Sequence, residues 1–294
     1  MAEAAPARDG AQPSERPGRE ILRRLVFGTG GIGLLIILLA VGAALAAPWV
    51  APYDPLELNP AVRLQGPSPD HWLGTDQYGR DTLARIVYGG RSSLSVAFAA
   101  TAFALLVGGT LGALAGFYRG ALDATIMRVT DVLLSFPAIL LAIALLAFLG
   151  SGFVNLVLAI GVVYVGPFAR VARAAVMTVR EEQFVEASRA LGSRDMRVLL
   201  GAVLPAAAAP MLVETTLRLA YAILAEASLS FLGLGTQPPA PSWGMMIAEG
   251  RRFLALSPWA TVAPGLAIMA VVLGFNLFGD GLRDALDPRL RRQR

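Results

Sequence analysis

Apolar residues in this chain come in long unbroken runs, not at the spacing of a half-buried helix or strand. The first, residues 25–47, carries no charge. A helix rises 1.5 Å per residue, so about 20 such residues cross roughly 30 Å of hydrocarbon. The second run covers 92–118. The block 132–169 is also charge-free and long enough for two passes, with Gly150-Ser151-Gly152 as the turn between them. A fifth run, 205–232, holds only Glu214, Arg218 and Glu226, and a sixth covers 259–279. Six runs predict an all-α membrane bundle of six crossings, because only helices satisfy their backbone internally in lipid at this run length.

Between the runs lie polar segments. Residues 1–24 form an N-terminal tail whose first 20 residues have too few bulky apolar side chains to fold, so disorder is expected. Residues 48–91 form a Pro-, Asp- and Gly-rich loop ending in a short amphipathic stretch, 81–88. A five-helix core, 92–279, is interrupted by a charged loop, 170–204, and by a Gly-, Pro- and Trp-rich loop, 233–258. Residues 280–294 form a basic tail. Ala44-Leu45-Ala46 resembles a signal cleavage site, but the first run exceeds the ~7–15 apolar residues of a signal peptide, so it is read as a retained span.

Charge sets the orientation. With the N-terminus cytoplasmic, the inside segments hold 18 arginines and the outside segments six, with Arg218 inside a run. Arginine accumulates on the cytoplasmic side, so both termini are expected there. Composition then narrows the chemistry. The chain is 55% hydrophobic and 16% charged, against about 25% charged in soluble domains. It has no cysteine and one histidine, His71, which leaves no thiolate chemistry and no multi-histidine metal site. All 25 basic residues are arginine, so a G-x-x-x-x-G-K-[ST] phosphate loop cannot exist here. A pI near 9.9 is compatible with nucleic acid, but the arginines follow the membrane pattern instead.

The charged loop carries a short amphipathic helix around Glu186. Phe184, Ala187, Ser188 and Leu191 share a face at i, i+3, i+4 and i+7 spacing, and Gly192 stands where a helix ends in a left-handed residue. Such a ridge suits docking into a groove on a cytoplasmic partner, or lying on lipid. The pattern itself leaves both open.

Glu186-Ala187, then Gly192, then Leu204-Pro205 resembles the E-A-A loop of ABC importer permeases, with Ser188 and Ala202 departing from the usual Ala and Ile. Further segments are similar to "C"-type permeases of the dipeptide, oligopeptide and nickel group. They are His71-Trp72-Leu73-Gly74-Thr75-Asp76, Leu134-Ser135-Phe136-Pro137, Pro241-Ser242-Trp243-Gly244 and Phe275-Asn276-Leu277-Phe278-Gly279-Asp280, within about residues 70–290. The resemblance implies a type I importer permease that supplies half a path for peptides, or for nickel or another small solute. It implies a homologous second permease, two cytoplasmic ATPase subunits that hold ATP and Mg, and an external solute-binding protein. The chain itself would bind no cofactor and catalyse no reaction. The expected place is the inner membrane of a bacterial or archaeal cell. The resemblance also makes Phe184, Glu186, Ala187, Ser188, Leu191, Gly192, Leu204 and Pro205 the ATPase-coupling set.

Three other features stand out. Glu214 and Arg218 are i, i+4 and can pair along one helix; Glu226, further out, is the candidate for lining the path, since a charge in a span is costly without a function. Gly108, Gly109, Gly112 and Gly116 form a small-residue pattern for close helix packing. Pro137 and Pro167 are candidate kinks. An ion-coupled transporter would need a buried titratable site such as Glu226 and would leave the E-A-A loop unexplained. A membrane enzyme would need a nucleophile–base set, and none is evident.

Overall fold

The computed structural model describes residues 28–286. The N-terminal tail 1–24, the first three residues of the first apolar run and the last part of the C-terminal tail, 287–294, lie outside the described residues. Within them the chain is helical, with one isolated bridge, Thr75 to Asp81, and no strand.

Helix α1, Thr29–Leu45, is apolar throughout and leads into a short turn of helix, α2, Ala47–Val50. An irregular segment then packs back on itself, burying Thr75, Asp76 and Arg80. Helix α3, Thr82–Tyr118, starts where the Asp81 carboxylate accepts from the Ala84 N–H at 2.7 Å. It absorbs both the amphipathic stretch and the second run into one 37-residue helix. The Gly89-Gly90 pair does not break it, because Trp243 packs there: its indole Nε1 donates to the Ile86 carbonyl and its N–H to Ser93 Oγ.

Helices α4, Gly120–Ser135, and α5, Ala138–Leu149, are bent by 93° around Pro137. Glycines 150 and 152, both at positive φ, turn the chain into α6, Phe153–Val179. Here the structure extends the expected span. Residues 170–179, polar in sequence, continue the helix instead of starting the loop, because their charges have partners on α4: Arg173 forks onto Asp123 at 2.5 and 2.7 Å, and Arg170 meets Asp131 at 2.6 Å. After the charged loop come α10, Ala208–Phe231, then α11, Trp243–Gly250, inside the Pro-rich loop, then α12, Trp259–Leu286; α7 to α9 belong to the charged loop and are described below.

Helices α3, α6, α10 and α12 are each long and apolar enough to cross a membrane, and the bent pair α4–α5, taken together, has the length and composition of a fifth span; α1 has 17 residues, about 26 Å. Large apolar side chains lie open on the outside, Leu39 at 65%, Leu106 at 70% and Phe148 at 89%. Water would make such a surface aggregate, whereas lipid tails are as apolar as the side chains. Inside, α3 packs on α6 more extensively than any other pair. Gly108, Gly112 and Gly116 lie against the backbone of Val165, Ala169 and Arg173, so carbonyl meets glycine at three successive turns. Gly109, one residue round, faces the Met211 side chain instead.

Candidate functional site

The charged loop is built outward from one buried side chain. Helix α7, Gln183–Ala190, is exposed except at Ser188, which is half-buried, and at Val185, which is fully buried. Val185 enters an apolar socket made by Ala113 and Phe117 at the end of α3, Val176 near the end of α6, and Val198, Leu199, Val203 and Ala207 downstream. The sequence pattern singled out the opposite face and missed this anchor. Its signal was a lone bulky β-branched residue set one position off the amphipathic ridge.

The socket is braced by arginines. Arg180 donates from its Nη1 to the Phe117 carbonyl, and Arg189 lies over the Phe117 ring at 5.2 Å from the centroid. Arg119 donates to Glu181 at 2.7 Å. Burial, then the neighbouring Arg119 and Arg189, hold the Arg180 guanidinium below its ordinary pKa. Phe117 therefore connects α3, α6 and α7 from one position, with its ring buried and its carbonyl satisfied.

Helix α7 ends as its sequence predicts. Gly192 has φ +79°; its N–H bonds the Arg189 carbonyl at 2.9 Å, and the Ser193 N–H bonds the Ser188 carbonyl at 3.2 Å. That pair of bonds is a Schellman cap. A Cβ at Gly192 would meet nothing within 4 Å. Gly192→Ala is therefore expected to cost only the left-handed backbone penalty, about 1 kcal/mol. Hydrogen exchange at the Gly192 and Ser193 amides should quicken by about fivefold, with the exchange of α3 and α6 unchanged.

The structure brings most of the sequence-selected residues to one place. Phe184, Glu186, Ala187 and Leu191 are exposed, Leu191 at 87%. Ser188 is half-buried and donates its hydroxyl to the Phe184 carbonyl at 2.8 Å. Leu204 and Pro205 lie beyond the second half of the loop. There, α8, Asp195–Val198, runs into a wide π-helical turn, Leu199–Val203, then α9, Leu204–Ala206, and so into α10. Proline at 205 cannot donate to an i−4 carbonyl and its ring would crowd it; the wide turn accommodates this, with Leu204 N–H reaching Leu199 O. Leu204 packs half-buried against the socket, and Pro205 is exposed.

Glu226 does not join this group. It is fully buried inside the chain's own core on α10. Ser230 Oγ, one turn on along the same helix, donates to its Oε1 at 2.7 Å, while Oε2 has no hydrogen-bond partner among the described residues. Glu214 and Arg218 pair as their spacing predicts, at 2.6 Å, with Arg218 between the rings of Tyr164 and Tyr221.

Comparison with known proteins adds to this geometry. The family model described as "Binding-protein-dependent transport system inner membrane component" matches residues 108–292, and that of the "N-terminal TM domain of oligopeptide transport permease C" matches 29–67. The chain is 47% identical over 276 residues to a dipeptide transport system permease protein, DppC, of Alkalihalophilus pseudofirmus, covering 94% of this chain and 91% of that one. It is 44% identical over 294 residues to a di/tripeptide permease, DppC, of Pseudomonas aeruginosa, covering 98% and 97%. It is 42% identical to a glutathione permease, GsiD, of Pectobacterium atrosepticum, covering 94% and 92%. Among solved structures, a chain of the MetNI methionine ABC transporter in an inward-facing conformation superposes with a TM-score of 0.58 at 19% identity, over 69% of this chain and 97% of that one.

Proposed function

Because the chain belongs to the family of binding-protein-dependent transport system inner membrane components, we propose that it forms one half of the path of a peptide importer and receives force from a separate ATPase. The peptide assignment follows the dipeptide, di/tripeptide and glutathione permeases that it resembles over nearly their whole length. Its partners are a homologous second permease, two cytoplasmic ATPase subunits carrying ATP and Mg, and an external solute-binding protein. In this reading α1 is the first of six crossings, and both termini are cytoplasmic, as the arginine distribution supports.

One observation carries the proposal: α7 is held from beneath by Val185 while Phe184, Ala187 and Leu191 are left uncovered. A helix anchored on one face and bare on the other is a docking surface on a rigid mount. Movement imposed on α7 enters the α3–α6 unit through the socket. It enters α10 through the wide turn and Pro205. The ion-coupled alternative is disfavoured, because it leaves the α7 loop without a role and its candidate site, Glu226, is enclosed within the chain's own core.

The absence of natural cysteine makes a clean test possible. Leu191→Cys, the only thiol in the chain, is expected to cross-link to an ATPase subunit carrying an engineered cysteine in its surface cleft, and to resist a membrane-impermeant maleimide added to intact cells. Labelling from outside would overturn both the topology and the coupling role.

A further inference from the structure

At the opposite end of α10 from the coupling loop lies a cavity that the coupling role does not use. Helix α10 is 24 residues, about 36 Å, so its Phe231 end sits on the far side of the membrane. There the polar loop after α1, the end of α10 and helix α11 line an open cavity of about 570 Å³. That is within the ~300–1,000 Å³ of small-molecule sites.

The wall has a defined charge pattern. Arg63, Arg251 and Arg252 line it, and none of the three has an ion-pair partner among the described residues. Arg251 is steadied over the Phe231 ring at 4.9 Å. Glu249, also in the wall, is fixed from behind. Its Oε2 accepts from Arg80 at 2.8 Å and from the buried Arg85 at 3.0 Å, with Gln77 at 3.4 Å. Asp76 completes that network by binding Arg80 at 2.6 Å. The network is neutral as a group of two arginines and two carboxylates, so it cancels none of the charge on the three rim arginines. It also holds Glu249 by one oxygen and leaves Oε1 without a hydrogen bond among the described residues.

We propose that this cavity receives the zwitterion of a short peptide, its carboxylate on Arg63, Arg251 and Arg252 and its ammonium on Glu249. Three unpaired guanidiniums around a concave wall concentrate anions. Arginine binds a carboxylate through paired charge-assisted bonds. The unbonded Oε1 of Glu249 on the same wall offers a fixed acceptor to a ligand's ammonium. Phe231 and Met245 supply apolar surface for the side chains between. The inference rests on the peptide reading given above and adds where, and by which groups, the peptide is met.

The test uses the assembled importer in detergent, with the binding protein omitted and dialanine as the probe, followed by saturation-transfer NMR. The wild-type complex should transfer magnetisation to dialanine. Arg63→Gln/Arg252→Gln, at two exposed side chains, should weaken the affinity about tenfold. Amidating the peptide's C-terminus should weaken it similarly in the wild type and by less in the variant, where only Arg251 is left to meet the carboxylate. No transfer in the wild type, or transfer that survives the double substitution, overturns the proposal. A variant that keeps the dialanine signal but needs more loaded binding protein for half-maximal ATPase stimulation assigns the arginines to protein docking instead. A signal that tracks the phosphatidylglycerol content of added lipid assigns them to headgroups. Failure of the wild-type complex to import dialanine with binding protein and ATP supplied would sink the peptide reading itself, independently of this site.

Discussion

Gly112→Ala is expected to abolish accumulation of folded protein in the membrane, while Gly109→Ala, three residues away on the same helix, is tolerated. Each change adds one methyl group, and in each case replacing glycine inside a helix favours folding by about 0.5–1 kcal/mol. The difference lies in what the methyl meets. At Gly112 it would sit 2.1 Å from the Ala169 carbonyl oxygen and 2.8 Å from its Cα. Carbon atoms rest about 3.5–4.0 Å apart, so α3 and α6 would have to separate by more than an ångström. Backbone cannot swing aside, and separation at this turn would also open the approaches at Gly108 and Gly116, where the neighbours are again carbonyl oxygens of α6. Overpacking a core costs ~1–3 kcal/mol when side chains can yield, and more when they cannot. At Gly109 the nearest atom is the terminal methyl of Met211 at 3.1 Å, the free end of a flexible chain. Detergent-solubilised yield by fluorescent size exclusion reads the contrast directly. Comparable yields for the two variants would show that the α3–α6 register is not as described.

That contrast marks what the sequence makes legible. The glycine pattern announces close packing, but its face is settled only by the partner helix, which places Gly109 on another side from Gly108, Gly112 and Gly116. The apolar runs are visible because nothing interrupts them; the ends of the helices are not. Arg170 and Arg173 look like the start of a loop, yet they continue α6, because Asp131 and Asp123 come from α4 to meet them. A charge ends a span in sequence only when its partner is out of sight. Pro137 signals a break, but the 93° turn is set by the packing of α4 and α5 on α6.

The loop shows the same division. Gly192 was readable, since a left-handed cap has a local cause. Val185 was not, because the socket that buries it is assembled from the ends of α3 and α6 and from residues 198–207. Glu226 is only partly legible for a related reason. A lone carboxylate in an apolar run suggests a solute path, and Ser230 four residues on was the available hint of an internal partner.

The second large effect is expected from Phe184→Asp/Leu191→Asp, which should leave the permease folded and remove its transport. Both side chains are exposed, Phe184 at 45% and Leu191 at 87%, and neither belongs to the buried socket. Surface changes of this kind alter stability by about 0.5 kcal/mol or less. At a docking face the same changes act differently, since an apolar anchor seated in a partner's pocket is worth 2 kcal/mol or more, and a carboxylate in that pocket is desolvated without a partner. Two such losses amount to about 4 kcal/mol, near a thousandfold in affinity. The ATPase subunits should therefore fail to co-purify with the variant, and ATP-driven peptide uptake should fall to background, while its melting temperature stays within a degree or two of the parent. Val185→Asp provides the opposite signature, because a charge driven into the socket between α3 and α6 loosens the loop and the bundle end together, and the melting temperature drops with the uptake. If the exposed-face variant were to import peptide normally, α7 would be an ordinary interfacial helix and force would have to enter the membrane helices elsewhere.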